Sequence, residues 1–294
     1  MSAWLKTARL AAFGLALAAV ARPAVAEDAT VLPDTSRVVA IGGAVTEIVF
    51  ALGEQKHLVA RDSTGTYPEA AKALPDVGYM RALSPEGVLS VDPTGIIALQ
   101  GSGPKEAVDV LKKASVPYVE VPETYDNEGI LERIRVVGKA LGVEDKAAAL
   151  AAETQAKLKA AEARTAGIDR KKRVLFILSM QGGKIMAAGA HTGADGIVTL
   201  AGAANAIEGF SGYKQLSDEA IVTAAPDVIL MMDHAGPGVS DDDLFGNAAI
   251  SQTPAGQARR VIRMDGGYLL GYGPRTADAI SDLSKALYGD KAAD

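Results

Sequence analysis

The chain has no cysteine among its 294 residues. It therefore has neither a disulfide framework nor a cysteine-ligated zinc or iron–sulfur site. Histidine is scarce as well, because the only three histidines, His57, His191 and His234, lie far apart in the sequence and form no HxxxH or HxH pair. A clustered zinc site is therefore not expected.

Basic residues are also fewer than acidic residues. Lysine and arginine together number 30 against 36 aspartates and glutamates, which gives a formal net charge of −6 at pH 7. Binding to nucleic acid usually needs a basic face, so this balance argues against a nucleic-acid partner. The hydrophobic content of 48% and the charged content of 22% are those of a globular protein, and the length suits two domains of common size.

Long apolar runs are lacking except near the beginning of the chain. Lys6 and Arg9 precede an apolar run from Leu10 to Val20, and Ala24-Val25-Ala26 forms an A-x-A cleavage site. This run is shorter than the roughly 20 apolar residues that a membrane-spanning helix needs, so we predict a secretory signal peptide at residues 1–26. Since no cysteine follows it, we expect a periplasmic protein that is released by cleavage and is not lipid-anchored.

The motifs of common enzyme classes are missing too. The sequence contains no Gly-x-Ser-x-Gly elbow, no P-loop and no histidine cluster. An enzyme would need a nucleophile with a base, or a metal cluster, and we therefore predict that the protein is not an enzyme.

Strands and helices alternate along the mature chain. The apolar run Arg37–Ile41 predicts a strand, Gly42-Gly43 a tight turn, and the spacing of apolar residues from Val45 to Leu52 a helix. The next predicted elements are the strands His57–Ala60, Gly95–Leu99 and Tyr118–Val121 and the helix Lys105–Ala114. This alternation is typical of a parallel sheet flanked by helices.

The composition changes to strong helix formers between Asn127 and Ala166, and the alternation then restarts at Val174–Leu178. We predict an N-terminal α/β lobe at residues 27–142, a single long connecting helix at 143–168, and a C-terminal α/β lobe at 169–294. Each lobe would contain a short parallel sheet flanked by helices. An ordinary surface helix within one domain is the alternative for the connecting segment.

One segment of the chain occurs twice. Leu83–Pro93 aligns without a gap with Leu216–Pro226, at an offset of 133 residues, and each copy follows a Gly-Tyr pair. In both copies Leu-Ser-x-Glu predicts a helix start, with Ser84 or Ser217 as N-cap and Glu86 or Glu219 in the first turn. A glutamate in the first turn stabilises the start of a helix. The two glutamates could also bind a basic partner of two-fold symmetry, because each lobe presents one of them. The residues alone leave both roles open.

The repeat and its surroundings resemble a known family. Gly78-Tyr79-Met80-Arg81-Ala82-Leu83-Ser84, with Thr66-Tyr67-Pro68 and Gly273-Pro274-Arg275, is similar to segments of the periplasmic haem-binding proteins of bacterial haem ABC importers. The resemblance covers about residues 36–288. It implies the fold of a class III periplasmic binding protein, with two lobes that hold ferric haem (haem b) in the cleft between them and deliver it to an inner-membrane permease dimer with its ATPase. It also implies that an outer-membrane receptor supplies the haem, and a monomer is expected.

The resemblance assigns roles to individual residues. Tyr79 would ligate the haem iron through its phenolate, and Arg81 would favour the deprotonated phenol. On spacing alone, both are expected to be exposed loop residues. Tyr213 would contact the porphyrin face or a propionate, and Glu86 and Glu219 would pair with arginines of the permease.

Part of the family pattern is absent from this sequence. Some relatives have a histidine ligand after the first strand of the second lobe, where this chain has Ser179-Met180-Gln181. Five-coordinate ferric haem is therefore the simpler expectation, with Met180 in a packing role. Weaker candidates for the cleft are His191, Arg61 and Arg275. Cobalamin and ferric-siderophore carriers share this fold and are the alternative, and they would need no phenolate ligand.

Overall fold

The structure is a computed structural model that describes residues 31–233 and 238–289. The predicted signal peptide at residues 1–26 and His234 lie outside these ranges. Within them, no helix combines the length and the apolar character needed to cross a bilayer.

The first lobe is built on a four-stranded parallel sheet. Its strands are β1 (Val38–Ile41), β2 (Leu58–Arg61), β3 (Gly95–Leu99) and β4 (Tyr118–Val121), in the order β2-β1-β3-β4. Every residue of β1 and β3 is buried, because helices cover both faces of the sheet. The predicted strands of this half are confirmed, with shifts of one residue at β1 and β2.

Four helices flank this sheet: α1 (Gly43–Ala51), α2 (Pro85–Leu89), α3 (Lys105–Lys113) and α4 (Asn127–Ala140). The turn from β1 into α1 depends on Gly42, whose φ of 105° is unfavourable for other residues. A Cβ atom there would also lie 2.8 Å from Cβ of Leu99. The glycine therefore lets the chain reverse directly over β3.

Helix α5 (Glu144–Ala163) connects the two lobes. It packs on α4 through a stripe of buried residues, namely Ala147, Ala151, Thr154, Leu158 and Ala161. Gly142, with φ of 69°, separates the two helices. The exact domain boundaries remain a prediction.

The second lobe is built on a six-stranded mixed sheet. Its strands are β5 (Arg173–Gln181), β6 (Lys184–Ala188), β7 (Ala204–Asn205), β8 (Tyr213–Gln215), β9 (Val228–Asp233) and β10 (Val261–Asp265). The path of the sheet is β10-β9-β5-β6-β8, and β7 pairs with β5. The contacts of β5 with β7 and β9, and of β9 with β10, are parallel, as expected. By contrast, β6 pairs antiparallel with both β5 and β8, which the sequence reading did not predict.

The helices of this lobe are α6 (Gly193–Leu200), α7 (Asp218–Ala224), α8 (Asp241–Gly246), α9 (Pro254–Gln257), α10 (Gly266–Leu270) and α11 (Thr276–Tyr288). The last of these, α11, packs against α5 of the connection.

One buried hydrophobic cluster runs through both lobes, from Val39 of β1 to Phe176 of β5 and Leu283 of α11. A second cluster lies on the other side of the second sheet and includes Ile229 and Leu244. Because the larger cluster is continuous, the two sheets are held together as one body by apolar packing.

Candidate functional site

Tyr79 lies on the loop between β2 and α2, and its relative exposure is 48%. The loop is held at several points: Gly78 accepts a hydrogen bond from the Ser63 amide (2.9 Å), and the Tyr79 carbonyl accepts one from the Ala82 amide (2.8 Å). The phenol is thus presented to solvent from a fixed backbone.

A buried carboxylate, Asp62, fixes this loop to the sheet. It accepts hydrogen bonds from the backbone amides of Gly42 (2.9 Å), Thr64 (3.1 Å) and Met80 (3.2 Å). Burial raises the pKa of Asp62, and these hydrogen bonds oppose the rise. The sequence analysis missed Asp62, although an aspartate placed directly after a buried strand is a usable signal.

Arg81 points toward a second carboxylate, Glu123, which follows β4. Its Nη2 atom lies 3.9 Å from Oε1 of Glu123, and the arginine side chain is 53% exposed against 18% for the glutamate. Burial together with the charge of the nearby Glu123 raises the pKa of Tyr125 to about 12. Arg81, Glu123 and Tyr125 therefore form one polar group at the carboxyl ends of the strands.

Tyr213 reaches the same group from the second lobe. It begins β8 and is half-buried, and burial raises the pKa of its phenol. The nearby Thr192 side chain and the charge of Arg81 oppose that rise. The charge of Arg81 in the first lobe therefore acts on a phenol of the second lobe, and Tyr79 lies two residues from Arg81 on the same loop.

Next to this polar group, the rings of Tyr125 and Tyr272 form an aromatic wall that joins the lobes. The rings of Tyr125 and Tyr272 are 5.1 Å apart between centroids, and Tyr272 donates a hydrogen bond to the carbonyl of Gly193 (2.5 Å). Gly196 permits this close packing, because a Cβ atom there would lie 2.5 Å from the Tyr125 carbonyl oxygen. Sequence reasoning did not identify this wall.

Glu86 and Glu219 occupy matching exposed positions, each in the first turn of its helix, α2 or α7. Ser84 accepts a hydrogen bond from the Gly87 amide (3.4 Å), and Ser217 accepts one from the Ala220 amide (3.2 Å). Both predicted helix starts are confirmed. Because the serines cap the helices, the glutamate side chains remain available at the surface.

The two weaker arginine candidates are engaged by protein carboxylates. Arg61 is buried and pairs with Asp76 (2.6 Å). Arg275 pairs with Glu47 (2.9 Å), and its guanidinium carbon lies 3.4 Å from the centroid of the Tyr67 ring. Each of these guanidinium groups would have to leave a carboxylate to meet a propionate.

His191 and Met180 have local partners as well. His191 is exposed, adopts a left-handed backbone with φ of 58°, and its Nδ1 atom lies 3.0 Å from the Ser211 hydroxyl. Met180 packs against the second hydrophobic cluster, as expected for a packing role. Within residues 31–233 and 238–289 no group of three histidine, cysteine, aspartate or glutamate side chains could hold a metal ion.

Solved structures of two haem-binding proteins are similar to this chain over nearly its whole length. The periplasmic heme-binding protein BhuT, in complex with two hemes, shares 40% identity, with 87% of this chain and 98% of BhuT covered and a TM-score of 0.82. The periplasmic heme-binding protein RhuT from Roseiflexus sp. RS-1, in apo form, shares 37% identity, with 88% and 100% covered and a TM-score of 0.82.

Curated sequences show more distant likenesses. An uncharacterized ABC transporter substrate-binding lipoprotein of Bacillus subtilis, YvrC, is 28% identical over 268 residues, which cover 90% of this chain and 83% of YvrC. The vitamin B12-binding protein of Vibrio campbellii is 23% identical over 248 residues, which cover 84% of this chain and 87% of that protein.

The profile of the periplasmic binding protein family matches residues 38–268. Proteins of this family bind solutes and are not enzymes, which confirms the prediction on that point. The resemblance indicated by the repeat and its surrounding motifs is confirmed by the same findings. The chain belongs to the periplasmic binding protein family.

Proposed function

We propose that this protein is the periplasmic haem-binding component of a haem ABC importer. It takes up ferric haem between its lobes and delivers it to an inner-membrane permease dimer with its ATPase. The observation that carries this proposal is the 40% identity, over 87% of the chain, with a binding protein solved with two haems. The vitamin B12-binding relative is only 23% identical.

Tyr79 is the iron ligand in this proposal. A phenolate is a hard anionic oxygen donor that suits ferric iron, and tyrosine serves as an axial haem ligand in other proteins. Support comes from its exposed side chain on a hydrogen-bonded loop and from the guanidinium of Arg81 two residues away. A nearby cation favours the deprotonated phenol.

Arg81 and Tyr213 complete the proposed haem contacts. Support comes from the charge of Arg81, which acts on the Tyr213 phenol and lowers its pKa against the effect of burial. A guanidinium can pair with an anionic oxygen of the ligand, and an aromatic ring can contact the porphyrin face. Without a histidine after β5, the haem iron takes a single protein ligand.

Glu86 and Glu219 are the proposed docking points for the permease. They are exposed at the starts of matching helices on the two lobes, which suits a partner of two-fold symmetry with basic residues. The mature protein would be released into the periplasm by cleavage of residues 1–26, without a lipid anchor. It would act as a monomer on haem supplied through an outer-membrane receptor.

A carrier of cobalamin or a ferric siderophore is the second candidate. The observation that favours it is the likeness to vitamin B12-binding proteins over most of the chain. Such a carrier would have no use for a tyrosine ligand to iron, so loss of the Tyr79 hydroxyl separates the two candidates.

The test is an absorption titration of the purified mature protein with ferric haem, beside Tyr79→Phe and Tyr67→Phe. Tyr67 is a matched control because its exposure is 45%, close to the 48% of Tyr79. We expect a saturable spectrum with a high-spin tyrosinate band in the wild type and in Tyr67→Phe, and loss of the band in Tyr79→Phe. A wild type without a saturable change would overturn the haem proposal and direct the titration to cobalamin. Equal spectra in all three proteins would overturn only the role of Tyr79.

A further inference from the structure

The carboxylate of Glu123 lies in the cleft beside Arg81, and the site proposed above gives it no role. Its Oε1 atom lies 3.9 Å from Nη2 of Arg81. Glu123 follows β4 at the carboxyl edge of the first sheet, where ligands of parallel sheets bind.

Neighbouring groups hold this carboxylate in place. The Tyr125 phenol lies near Glu123, whose charge raises the pKa of the phenol, and the backbone amide of Glu123 donates to Oε1 of Gln100 (3.2 Å). Gly101 lies against the carboxylate, since a Cβ atom there would be 2.8 Å from Oε2 of Glu123. The Glu123 side chain, at 18% exposure, is therefore more confined than the Arg81 side chain, which is 53% exposed.

A carboxylate beside Arg81 competes with an anionic ligand for that cation. Haem carries two propionates and, in the proposed site, binds through a phenolate, so Glu123 competes with these oxygens for the guanidinium of Arg81. Arg133, a second cation near Glu123, donates to the backbone carbonyls of Pro122 and Thr124 and cannot take the place of Arg81.

We propose that Glu123 is a positioning residue that draws Arg81 away from bound haem and thereby limits how tightly haem is held. The inference rests on the proposed haem-binding function. The 3.9 Å separation and the 53% exposure of Arg81 describe a weak ion pair. Arg81 leaves Glu123 for the ligand when haem binds, and it returns to Glu123 when haem is released. A carrier that hands its ligand to a permease benefits from such a competitor, because release is faster.

The test compares haem transfer from the loaded protein to excess apomyoglobin in wild type, Glu123→Gln and Glu120→Gln. Glu120 is the matched control, since it lies on β4 and pairs with Lys112 on the surface. We expect Glu123→Gln to slow transfer about threefold, the range of a partly exposed ion pair, and Glu120→Gln to leave the rate unchanged. In an Arg81→Ala background the effect of Glu123→Gln should vanish. An unchanged or faster transfer, or an equal effect without Arg81, overturns the inference.

A second readout needs no haem. The Nε–H signal of Arg81 in arginine-labelled protein, assigned with Arg81→Lys, should show a more mobile side chain in Glu123→Gln and the wild-type mobility in Glu120→Gln. A signal that Glu123→Gln leaves unchanged overturns the inference alone. A wild type that takes up no haem overturns the proposed function instead, so the two failures are distinguishable.

Discussion

At the scale of single residues, Asp62 connects three segments of the first lobe. Its carboxylate accepts amide hydrogen bonds from the end of β1 at Gly42, from its own loop at Thr64, and from the Tyr79 loop at Met80. All of these donors would otherwise be buried or partly buried without a partner. The position of Tyr79 therefore depends on a residue that is itself buried.

Replacement of Asp62 by alanine should reduce the free energy of unfolding by about 3 kcal/mol, because it leaves several amides unsatisfied. Urea unfolding followed by circular dichroism measures the loss. Asp109→Ala is the control: Asp109 pairs with Lys105 on an exposed helix face, and its loss should cost less than about 1 kcal/mol. Equal effects of the two substitutions would contradict the bracing role of Asp62.

Asp62 also gives a pH dependence of known sign. Its pKa in the folded protein is raised by burial, so the folded state binds the proton more tightly than the unfolded state does. The contribution of this group to stability is therefore present at low pH and is lost as pH rises from the ordinary aspartate pKa through the folded value. Between pH 3 and pH 6, wild type should lose this contribution and Asp62→Asn should not. The urea midpoint of Asp62→Asn should therefore increase relative to that of wild type as pH rises. Parallel curves for the two proteins would refute the raised pKa of Asp62.

At the scale of elements, the sequence predicts the parallel strands well and the β5–β6 hairpin poorly. Apolar runs such as Gly95–Leu99 are buried on both faces, so composition alone identifies them. The hairpin turn consists of Gly182 and Gly183 with φ of 55° and 77°, which is a two-residue turn of the type that Gly-Gly favours. The Gly-Gly pair is thus a sequence signal for the hairpin. The predicted strand Val174–Leu178 stops short of this turn, whereas β5 continues to Gln181.

Some residues of the candidate site can likewise be predicted from the sequence, and others cannot. Tyr79, Arg81 and Tyr213 could be named from the sequence because a motif and its repeat carry them. Glu123 and Tyr125 could not, since their proximity to Arg81 depends on which strand ends lie side by side, and no local spacing records that.

The contact between α5 and the first lobe includes a buried carboxylate. Glu54, at 4% exposure, accepts a hydrogen bond from Lys146 of α5, and that bond is the main reason why the pKa of Glu54 is lowered. A lowered pKa makes the stabilisation present above the ordinary glutamate value and lost as pH falls through the folded value. In Lys146→Met, the melting temperature should therefore fall less between pH 6 and pH 3 than it does in the wild type. The exposed Lys157→Met on the same helix should retain the wild-type pH dependence, and a wild-type slope in Lys146→Met would refute the coupling.

At the scale of the whole molecule, Arg133 joins the two lobes. It is 1% exposed, and its guanidinium donates to the carbonyl oxygens of Pro122 (3.0 Å) and Thr124 (2.9 Å) in the first lobe and of Tyr272 (3.1 Å) in the second. Burial lowers its pKa. The same backbone segments carry Glu123 and Tyr125 in the first lobe and Tyr272 in the second, so the arrangement of the cleft depends on this residue.

Arg133→Met should therefore reduce the free energy of unfolding by about 3 kcal/mol, because it leaves buried carbonyls without donors. It should also increase hydrogen exchange in residues 122–126 and 271–273 together. Arg135→Met is the matched control on the same helix, since Arg135 pairs with Glu128 and Glu132 at the surface and should change stability by less than about 1 kcal/mol. Faster exchange in only one of the two segments would show that Arg133 supports one lobe and does not join them. Faster exchange in both, with haem transfer altered as well, would show that the geometry of the cleft is set by a contact that never touches the ligand.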